Sequence, residues 1–265
     1  VAGVVNVLTQ KDFEGFKLRI NNFETSNYSQ RDKSLGLLVG SNYKSGSYVF
    51  GLNMLQRSSL SASEIPGIAE LGLSGLGKTF KISADDTVSN GLYSGNYNAN
   101  QFVPDPQCEA NGGVLDGSFC RFLYGTRFNI VNDEDHSKAY ANLSFERSNY
   151  VYEITFMGSA VEVNDNPQSP SYPALPFLSR QIQPDQGGNP FNVPVTWYGR
   201  PLGSEFDSPY SPKDIKQYNL SQTLNTNISE STELEASLTI SSHSNDHYRP
   251  DIIDSKFLEA LNGTT

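Results

Sequence analysis

Residues 217–243, QYNLSQTLNTNISESTELEASLTISSH, decide the fold that this sequence predicts. Apolar and polar residues alternate there in two runs, which the polar turn 229–232 separates. Successive side chains of a β-strand point to opposite faces, so each run predicts a strand with one apolar and one polar side. The turn between them predicts an antiparallel hairpin. The apolar parity consists of Tyr218, Leu220, Leu224, Ile228, Leu234, Ala236, Leu238 and Ile240.

Five further segments show the same alternation, so the sequence predicts seven strands. Each of these segments places its apolar side chains on one parity and mostly polar or small residues on the other. The apolar parity consists of Phe16, Leu18, Ile20, Leu35, Leu37, Val39, Tyr48, Phe50, Leu52, Met54, Ala139, Ala141, Leu143, Phe145, Tyr150, Tyr152, Ile154 and Phe156.

The connections between the strands are either very short or very long. Tight turns are predicted at 44–47, 147–149 and 229–232, and long loops near 58–137 and 165–214. A compact soluble domain rarely holds two structureless loops of that length. Outer-membrane barrels combine short periplasmic turns, long extracellular loops and strands of about ten residues. We therefore predict an all-β fold, an antiparallel meander that forms part of a transmembrane outer-membrane β-barrel with long extracellular loops.

Tyrosines are concentrated beside the predicted tight turns, at Tyr43, Tyr48, Tyr150 and Tyr152. An aromatic girdle at one membrane interface has this placement. A soluble β-sandwich with tyrosines at its strand ends is the alternative that the pattern leaves open.

Composition limits the class of protein. Hydrophobic residues make up 37% of the 265 residues and the mean hydropathy is −0.45. No apolar run approaches the roughly 18 residues that a membrane helix needs, but barrel strands need no such run. The net charge of −10 disfavours nucleic acid as a partner. Seven strands are too few to close a barrel, so we expect the chain to be one part of a longer barrel protein. We expect residues 258–265 to lie in a loop after the seventh strand, and Val1 to follow a segment that is missing here.

Cys108 and Cys120 are the only cysteines, and both lie in the first long loop. An exported protein and a glycine-rich spacer favour a disulfide between them, with two unpaired thiols as the alternative. The bond would restrain the loop by roughly 3 kcal/mol in the chain-entropy model. We predict no metal site, because neither the acidic segment 132–136 nor His243 with His247 has the required ligand spacing.

The second long loop carries ten prolines between 166 and 212, together with the only tryptophan, Trp197. Proline restricts the free chain, so such a loop can hold one shape without much secondary structure. Trp197, Tyr198 and Arg200 are the predicted ligand-binding residues, because they can stack on a ligand and form hydrogen bonds with it. The alternative is that Trp197 anchors the loop in a small core of its own.

Residues 72–79, GLSGLGKT, match the phosphate-binding P-loop pattern. In a P-loop, backbone amides would cradle phosphates, Lys78 would reach the terminal ones and Thr79 would hold magnesium. The motif must follow a buried strand and open a helix, and the flanking residues show neither pattern. A soluble P-loop nucleotide-binding protein is therefore the least favoured alternative.

Residues 1–13, VAGVVNVLTQKDF, resemble the closing segment of the plug in TonB-dependent outer-membrane receptors. In that family a stretch similar to GGVVNIITKK ends the plug, and the first barrel strand follows directly. Here the strand predicted at 16–22 follows the motif in the same way. Ala2 and Leu8 depart mildly from the usual Gly and Ile. The resemblance implies that 1–12 is the end of the plug domain. It implies that 13–265 holds the first seven or so strands of a barrel of about 22 strands.

The resemblance also implies transport rather than catalysis, with no cofactor. Receptors of this family import a scarce ligand (a siderophore, cobalamin, a metal chelate or an oligosaccharide) with energy supplied by TonB. The implied partners are outer-membrane lipid, that ligand, and the TonB complex through a missing N-terminal box. The implied location is the cell outer membrane of a Gram-negative bacterium. A passive porin or a surface adhesin with a similar barrel is the alternative.

Overall fold

The computed structural model describes residues 13–167, 180–204 and 206–264, so the proposed plug end at 1–12 lies outside the described residues. The described chain contains strands β1–β18, short 3₁₀ helices and one α-helix, α1. The long strands are β1 (Gly15–Glu24), β2 (Arg31–Tyr43), β3 (Gly46–Arg57), β13 (Glu134–Glu146), β14 (Tyr150–Val163), β17 (Lys213–Ser229) and β18 (Thr232–His247). The short strands are β4 (Leu60–Ser61), β5 (Leu73–Ser74), β6 (Lys78–Ile82), β7 (Asp86–Val88), β8 (Gly95–Tyr97), β9 (Phe102–Pro104), β10 (Val114–Asp116), β11 (Phe119–Leu123), β12 (Asn129–Val131), β15 (Gln181–Ile182) and β16 (Val195–Gly199). The helices are the 3₁₀ segments Ala62–Glu64, Ala69–Leu71 and Tyr124–Arg127, and α1 (Asp254–Asn262).

The seven long strands form one antiparallel sheet in the order β1-β2-β3-β13-β14-β17-β18. Each of these strands pairs with the long strand that precedes or follows it along the chain. The predicted all-β antiparallel meander is therefore confirmed. Tight turns join β2 to β3, β13 to β14 and β17 to β18, and the two long connections follow β3 and β14.

The strand register places the predicted apolar positions on one face of this sheet. Directly paired residues of antiparallel strands share a face, so chains of pairs define rows across the sheet. We name the face that carries the predicted apolar positions the apolar face, and the other the polar face. One row of the apolar face is apolar in all seven strands, and we name it the apolar row. It consists of Phe16, Val39, Phe50, Ala141, Phe156, Leu220 and Ile240.

The tight turn between β2 and β3 requires glycine at its end. Gly46 has a φ of 148°, a conformation that L side chains rarely adopt. A Cβ on Gly46 would also collide with the backbone carbonyl oxygen of Ser144 in β13. The turn can therefore close directly beside the first pair between β3 and β13, Gly46 with Phe145.

The described chain divides into two compact units. The sheet unit contains the described residues of 1–60, 131–165 and 212–248, and the insert unit contains those of 61–130, 166–211 and 249–265. Small sheets, among them β10-β11-β5, β15-β16-β6-β9 and β7-β8, build the insert unit. Its hydrophobic core consists of Phe80, Ile82, Val103, Ile182, Phe191, Val195, Phe257 and Leu261.

The expectation that residues 258–265 lie in a loop is wrong for most of that segment. Helix α1 buries Phe257 and Leu261 in the insert-unit core, and Gly263 ends it with a positive φ of 68°. The first long connection also ends at 133 rather than 137, because β13 begins at Glu134. Within the described residues, no helix combines the length and the apolar content that spanning a membrane requires.

Candidate functional site

The apolar face of the sheet unit is widely exposed. Ile20 in the edge strand β1 is 73% exposed, and Leu238 in the opposite edge strand β18 is 59% exposed. A soluble monomer rarely exposes a contiguous apolar patch of more than a few hundred Å². A face of this extent therefore needs an apolar partner. Its large exposed side chains include Phe16, Leu18, Ile20, Leu35, Phe50, Leu52, Met54, Phe145, Phe156, Leu234, Leu238 and Ile240.

Aromatic side chains of the apolar face gather beside the tight turns. The rings of Phe145 and Tyr152 stack across β13 and β14, with centroids 6.4 Å apart. The Tyr152 hydroxyl donates a hydrogen bond to Oε1 of Gln222 at 2.6 Å. An aromatic ring with a polar tip suits a boundary between an apolar and a polar medium. The four tyrosines predicted to form a girdle, Tyr43, Tyr48, Tyr150 and Tyr152, all lie at this end of their strands.

A cavity of about 650 Å³ lies against the sheet unit, and most of the side chains that line it belong to the polar face. One row of the sheet contributes Arg19, Asn53 and Lys138 to the lining. Its directly paired residues, from β1 to β13, are Arg19, Gly36, Asn53 and Lys138. The neighbouring row contributes Lys17 and Tyr140. Its directly paired residues, from β1 to β13, are Lys17, Leu38, Gly51 and Tyr140. This volume lies within the range of about 300–1,000 Å³ that is usual for small-molecule sites.

Two glycines leave the middle of this cavity open. Gly36 in β2 and Gly51 in β3 lie between the two cations of β1, Lys17 and Arg19, and the one cation of β13, Lys138. A Cβ at either position would approach no other atom closer than 3.5 Å. The missing side chains therefore leave space, rather than allowing a close approach of two backbones.

The charge of the cavity is positive. Lys17, Arg19 and Lys138 line it, and no described carboxylate does. In the part of the chain that the structure describes, none of the three cations forms an ion pair. The Tyr140 hydroxyl oxygen is buried there without a described hydrogen-bond partner. Lys and Arg side chains only donate hydrogen bonds, so these three cations can bind an anion.

The structure places Trp197 and Tyr198 on opposite faces of β16. The Trp197 ring packs on the insert-unit core, with its centroid 5.7 Å from that of Phe257. The Tyr198 ring lies 5.6 Å from that of Phe102. Both contacts are packing contacts, so the anchoring role that the sequence left open for Trp197 is observed. A ligand-binding role for either residue remains a prediction.

Arg200, the third predicted ligand residue, is buried beside an aromatic ring. Its guanidinium carbon lies 4.0 Å from the ring centroid of Phe122, and that of Arg127 lies 4.9 Å from the same centroid. Burial, with the neighbouring positive charge of Arg127, lowers the pKa of Arg200 to about 10. Arg200 therefore remains charged at neutral pH and contributes a cation–π contact to the insert unit.

Trp197 and Arg200 also line a cavity of about 170 Å³ together with Lys78 and Asp105. Lys78 Nζ lies 2.8 Å from Asp105 Oδ2, and Asp105 Oδ1 accepts hydrogen bonds from the Gln107 amide and the Tyr93 hydroxyl. This cavity is smaller than usual ligand sites. The cavity of about 650 Å³ on the sheet unit is therefore a better candidate site than this one.

The P-loop match is a structural segment of the insert unit. Lys78 begins strand β6, whereas a P-loop lysine lies where a helix begins. Lys78 is paired with Asp105, and the buried Thr79 hydroxyl accepts a hydrogen bond from the Cys120 amide at 2.9 Å. Both residues that would contact phosphate and magnesium are therefore already engaged.

Cys108 and Cys120 form a disulfide in the insert unit, with Cα atoms 5.6 Å apart. Both residues are buried. A Cβ on Gly113 would lie 2.8 Å from Cys108 Sγ and 3.0 Å from Cys120 Sγ. Glycine at 113 therefore allows the backbone to pass close to the bond.

Asp105→Asn is expected to remove an acid-sensitive part of the insert unit's stability. Burial alone would raise the pKa of Asp105, but the contacts from Lys78, the Gln107 amide and Tyr93 outweigh it, so the pKa lies below its usual value. A carboxylate with a depressed pKa stabilises the fold fully above its unfolded-state pKa, and this contribution is lost as the pH falls through the folded-state pKa. At pH 7 we expect the substitution to cost about 1.5–3 kcal/mol.

Urea unfolding followed by Trp197 fluorescence between pH 2 and pH 7 measures this effect. The parent protein should lose stability below about pH 4, and the Asp105→Asn variant should lose much less. Glu109→Gln, a change at an exposed position of the same unit, is the matched control. If the stability of Asp105→Asn fell with pH as steeply as that of the parent, the ion pair of Asp105 with Lys78 would not be the source of the acid sensitivity.

Comparisons with known proteins give no relative: no family model, no curated protein and no solved structure matches this chain. Function must therefore be inferred from the geometry of the two faces of the sheet unit.

The sequence did not identify Lys17, Arg19 and Lys138 as a group. All three lie on the polar parity of their strands, which was visible in the sequence. Their proximity depends on the pairing of β3 with β13, across a connection of 76 residues between Arg57 and Glu134. A glycine on the polar parity of each intervening strand, Gly36 in β2 and Gly51 in β3, was the available signal.

Proposed function

We propose that this chain is part of the wall of an outer-membrane receptor that imports a scarce ligand with energy supplied by TonB. The observation that carries the proposal is the exposed apolar face, which extends over all seven strands of one antiparallel sheet. Lipid is the partner that fits such a face, because barrel strands alternate apolar side chains towards lipid and polar ones towards the lumen. The polar face and its cavity then line the lumen.

The two ends of the apolar face support a membrane setting. Aromatic residues lie at the end with the tight turns, where a girdle is expected. At the other end, four carboxylates occupy paired positions on the same parity, Asp135, Glu162, Asp214 and Asp246. Carboxylates are costly in the bilayer interior, so this row marks the limit of the apolar band.

The edges of the sheet add a requirement to the proposal. In the described residues, β1 pairs only with β2, and β18 only with β17. An unpaired strand edge in lipid would leave backbone groups without hydrogen-bond partners. We therefore propose that further strands pair with β1 and β18 in the full gene product that contains this chain. Closure by several copies of the chain is the alternative, and the mass of the purified species distinguishes the two.

The TonB-dependent part of the proposal has its support in the resemblance of residues 1–13 to the end of a receptor plug. A ligand-uptake experiment tests it. Cells that lack the gene and cells that express it are compared for uptake of labelled ferric siderophore, cobalamin and oligosaccharide, with and without a protonophore. We expect gene-dependent uptake of one ligand that the protonophore abolishes. Uptake that persists with the protonophore would select a passive porin, and gene-dependent adhesion without uptake would select an adhesin.

A further inference from the structure

We infer that the cavity on the polar face binds a small ligand that carries at least two negative charges on carboxylate or phosphate groups. The inference rests on the proposed function, because it names the chemical class of ligand that this lumen face would accept. The positions of the cations and of the neutral donors favour such a ligand, as does a lining without described carboxylates.

The cations stand on two sides of an open floor. Lys17 and Arg19 lie two residues apart on β1, so both project from the polar face, about 7 Å apart along the strand. Lys138 lies three strand spacings away on β13, about 14 Å across the sheet. Gly36 and Gly51 each leave one position of the floor without a side chain, so only Asn53 and Leu38 project between β1 and β13 in these two rows. A ligand with anionic groups at both ends can therefore contact β1 and β13 at once.

Neutral donors occupy part of the remaining lining, beside the apolar side chains of Leu38 and Met157. Asn53 lies in the same row as Arg19 and Lys138, and Asn219 lies in the row of Lys17 and Tyr140. The buried Tyr140 hydroxyl has no described partner. Carboxylate and phosphate oxygens accept several hydrogen bonds each, and charge-assisted bonds from Lys and Arg are about twice as strong as neutral ones.

The charge of the cavity opposes that of the whole chain. The chain carries a net charge of −10, yet three cations and no described carboxylate line this cavity. Glu153, a carboxylate on the same face, accepts a hydrogen bond from Asn142 at 2.7 Å and lies outside the lining. A cleft lined by charge of one sign raises the local concentration of ions of the opposite sign.

Calorimetric titration of the purified full gene product in detergent tests the inference. The probes are citrate, which carries carboxylates, and pyrophosphate, with spermidine and sucrose as cationic and neutral probes. We expect one of the two anions to bind, and the other probes not to bind. Binding of citrate would indicate a carboxylate ligand, and binding of pyrophosphate a phosphate ligand. Removal of one charged contact, in Lys17→Gln, Arg19→Gln or Lys138→Gln, should weaken binding about tenfold or more.

Two variants separate charge from folding. Lys138→Arg should keep most of the affinity because it keeps the charge, and Lys44→Gln, in the tight turn between β2 and β3, should bind as the parent does. Equal affinity in the parent and the three cavity variants would overturn the inference, as would no binding of either anion by the parent. A protein that inserts into vesicles but binds neither anion contradicts only this inference. A protein that binds an anion but does not insert contradicts the proposed membrane function instead.

Discussion

Phe191→Ala is expected to destabilise the insert unit by about 3–5 kcal/mol, the cost of truncating a buried phenylalanine in a packed core. Phe191 is 3% exposed. Its ring contacts those of Phe80, Tyr93 and Tyr97 at centroid distances of 5.5, 5.4 and 5.3 Å. The substitution removes three edge-to-face contacts at once and leaves a cavity that surrounding strands of two to five residues can fill only in part.

Trp197 reports on this core, because it is the only tryptophan and packs on Phe257 within the same unit. The unfolding midpoint in urea, followed by Trp197 fluorescence, should fall well below that of the parent. Leu92→Ala, at a position of the insert unit that is 63% exposed, should change the free energy of unfolding by less than about 0.5 kcal/mol. Similar midpoints for Phe191→Ala and Leu92→Ala would contradict the proposed core.

Leu220→Arg is expected to cost about 2–4 kcal/mol of membrane stability, the range for a cation on the lipid side near the bilayer midplane. Leu220 lies in the apolar row, between Phe156 of β14 and Ile240 of β18. Its neighbour in sequence, Ser221, lies on the polar face and pairs with Thr155 and Thr239. The same substitution one residue later should therefore be far less costly.

Refolding of the full gene product into lipid vesicles, at a series of urea concentrations, measures both variants. Leu220→Arg should shift the folding midpoint strongly, while Ser221→Arg should remain close to the parent. If the cost is equal for both variants, or larger for Ser221→Arg, the two faces of the sheet have been assigned the wrong way round.

The sheet unit could be predicted from the sequence because its signal is local and repeated. Alternation with a period of two gave the strands and their two faces, as in the segments that contain Leu18 and Leu238. Short turns then fixed which strands are neighbours. Alternation also limited the register across the long connections, because a slip of one residue would turn every apolar side chain of a strand to the other face. The pairing itself, such as Phe50 with Ala141, is known only from the structure.

The insert unit could not be predicted in the same way. Its strands are two to five residues long, too short for periodicity to be read. Its core joins residues that are far apart in sequence, as when Phe191 packs on Phe80 and Leu261 joins the same cluster. Helix α1 was missed because only Phe257 and Leu261 of its nine residues are buried, which is a weak helical pattern.

The candidate site falls between these two cases. The polar parity of Lys17, Arg19 and Lys138 was readable, but their common cavity depends on two strand pairings and on the space left by Gly36 and Gly51. Trp197 and Arg200 were predicted to bind a ligand because their side chains can stack and form hydrogen bonds. In the structure both side chains pack on aromatic rings. Residue type alone did not distinguish a binding role from a packing role.

Accessibility of nitroxide labels along β17 tests the central claim, that the apolar face contacts lipid, most directly. Single labels are placed at 218–224 in the full gene product reconstituted in vesicles, and their collisions with oxygen and with a water-soluble nickel chelate are compared. Oxygen concentrates in lipid, so this account predicts high oxygen and low nickel collision rates at Tyr218, Leu220, Gln222 and Leu224. It predicts lower oxygen collision rates at Asn219, Ser221 and Thr223, which gives a period of two. Uniform nickel accessibility at all seven positions would show that this face meets water, and would contradict the account.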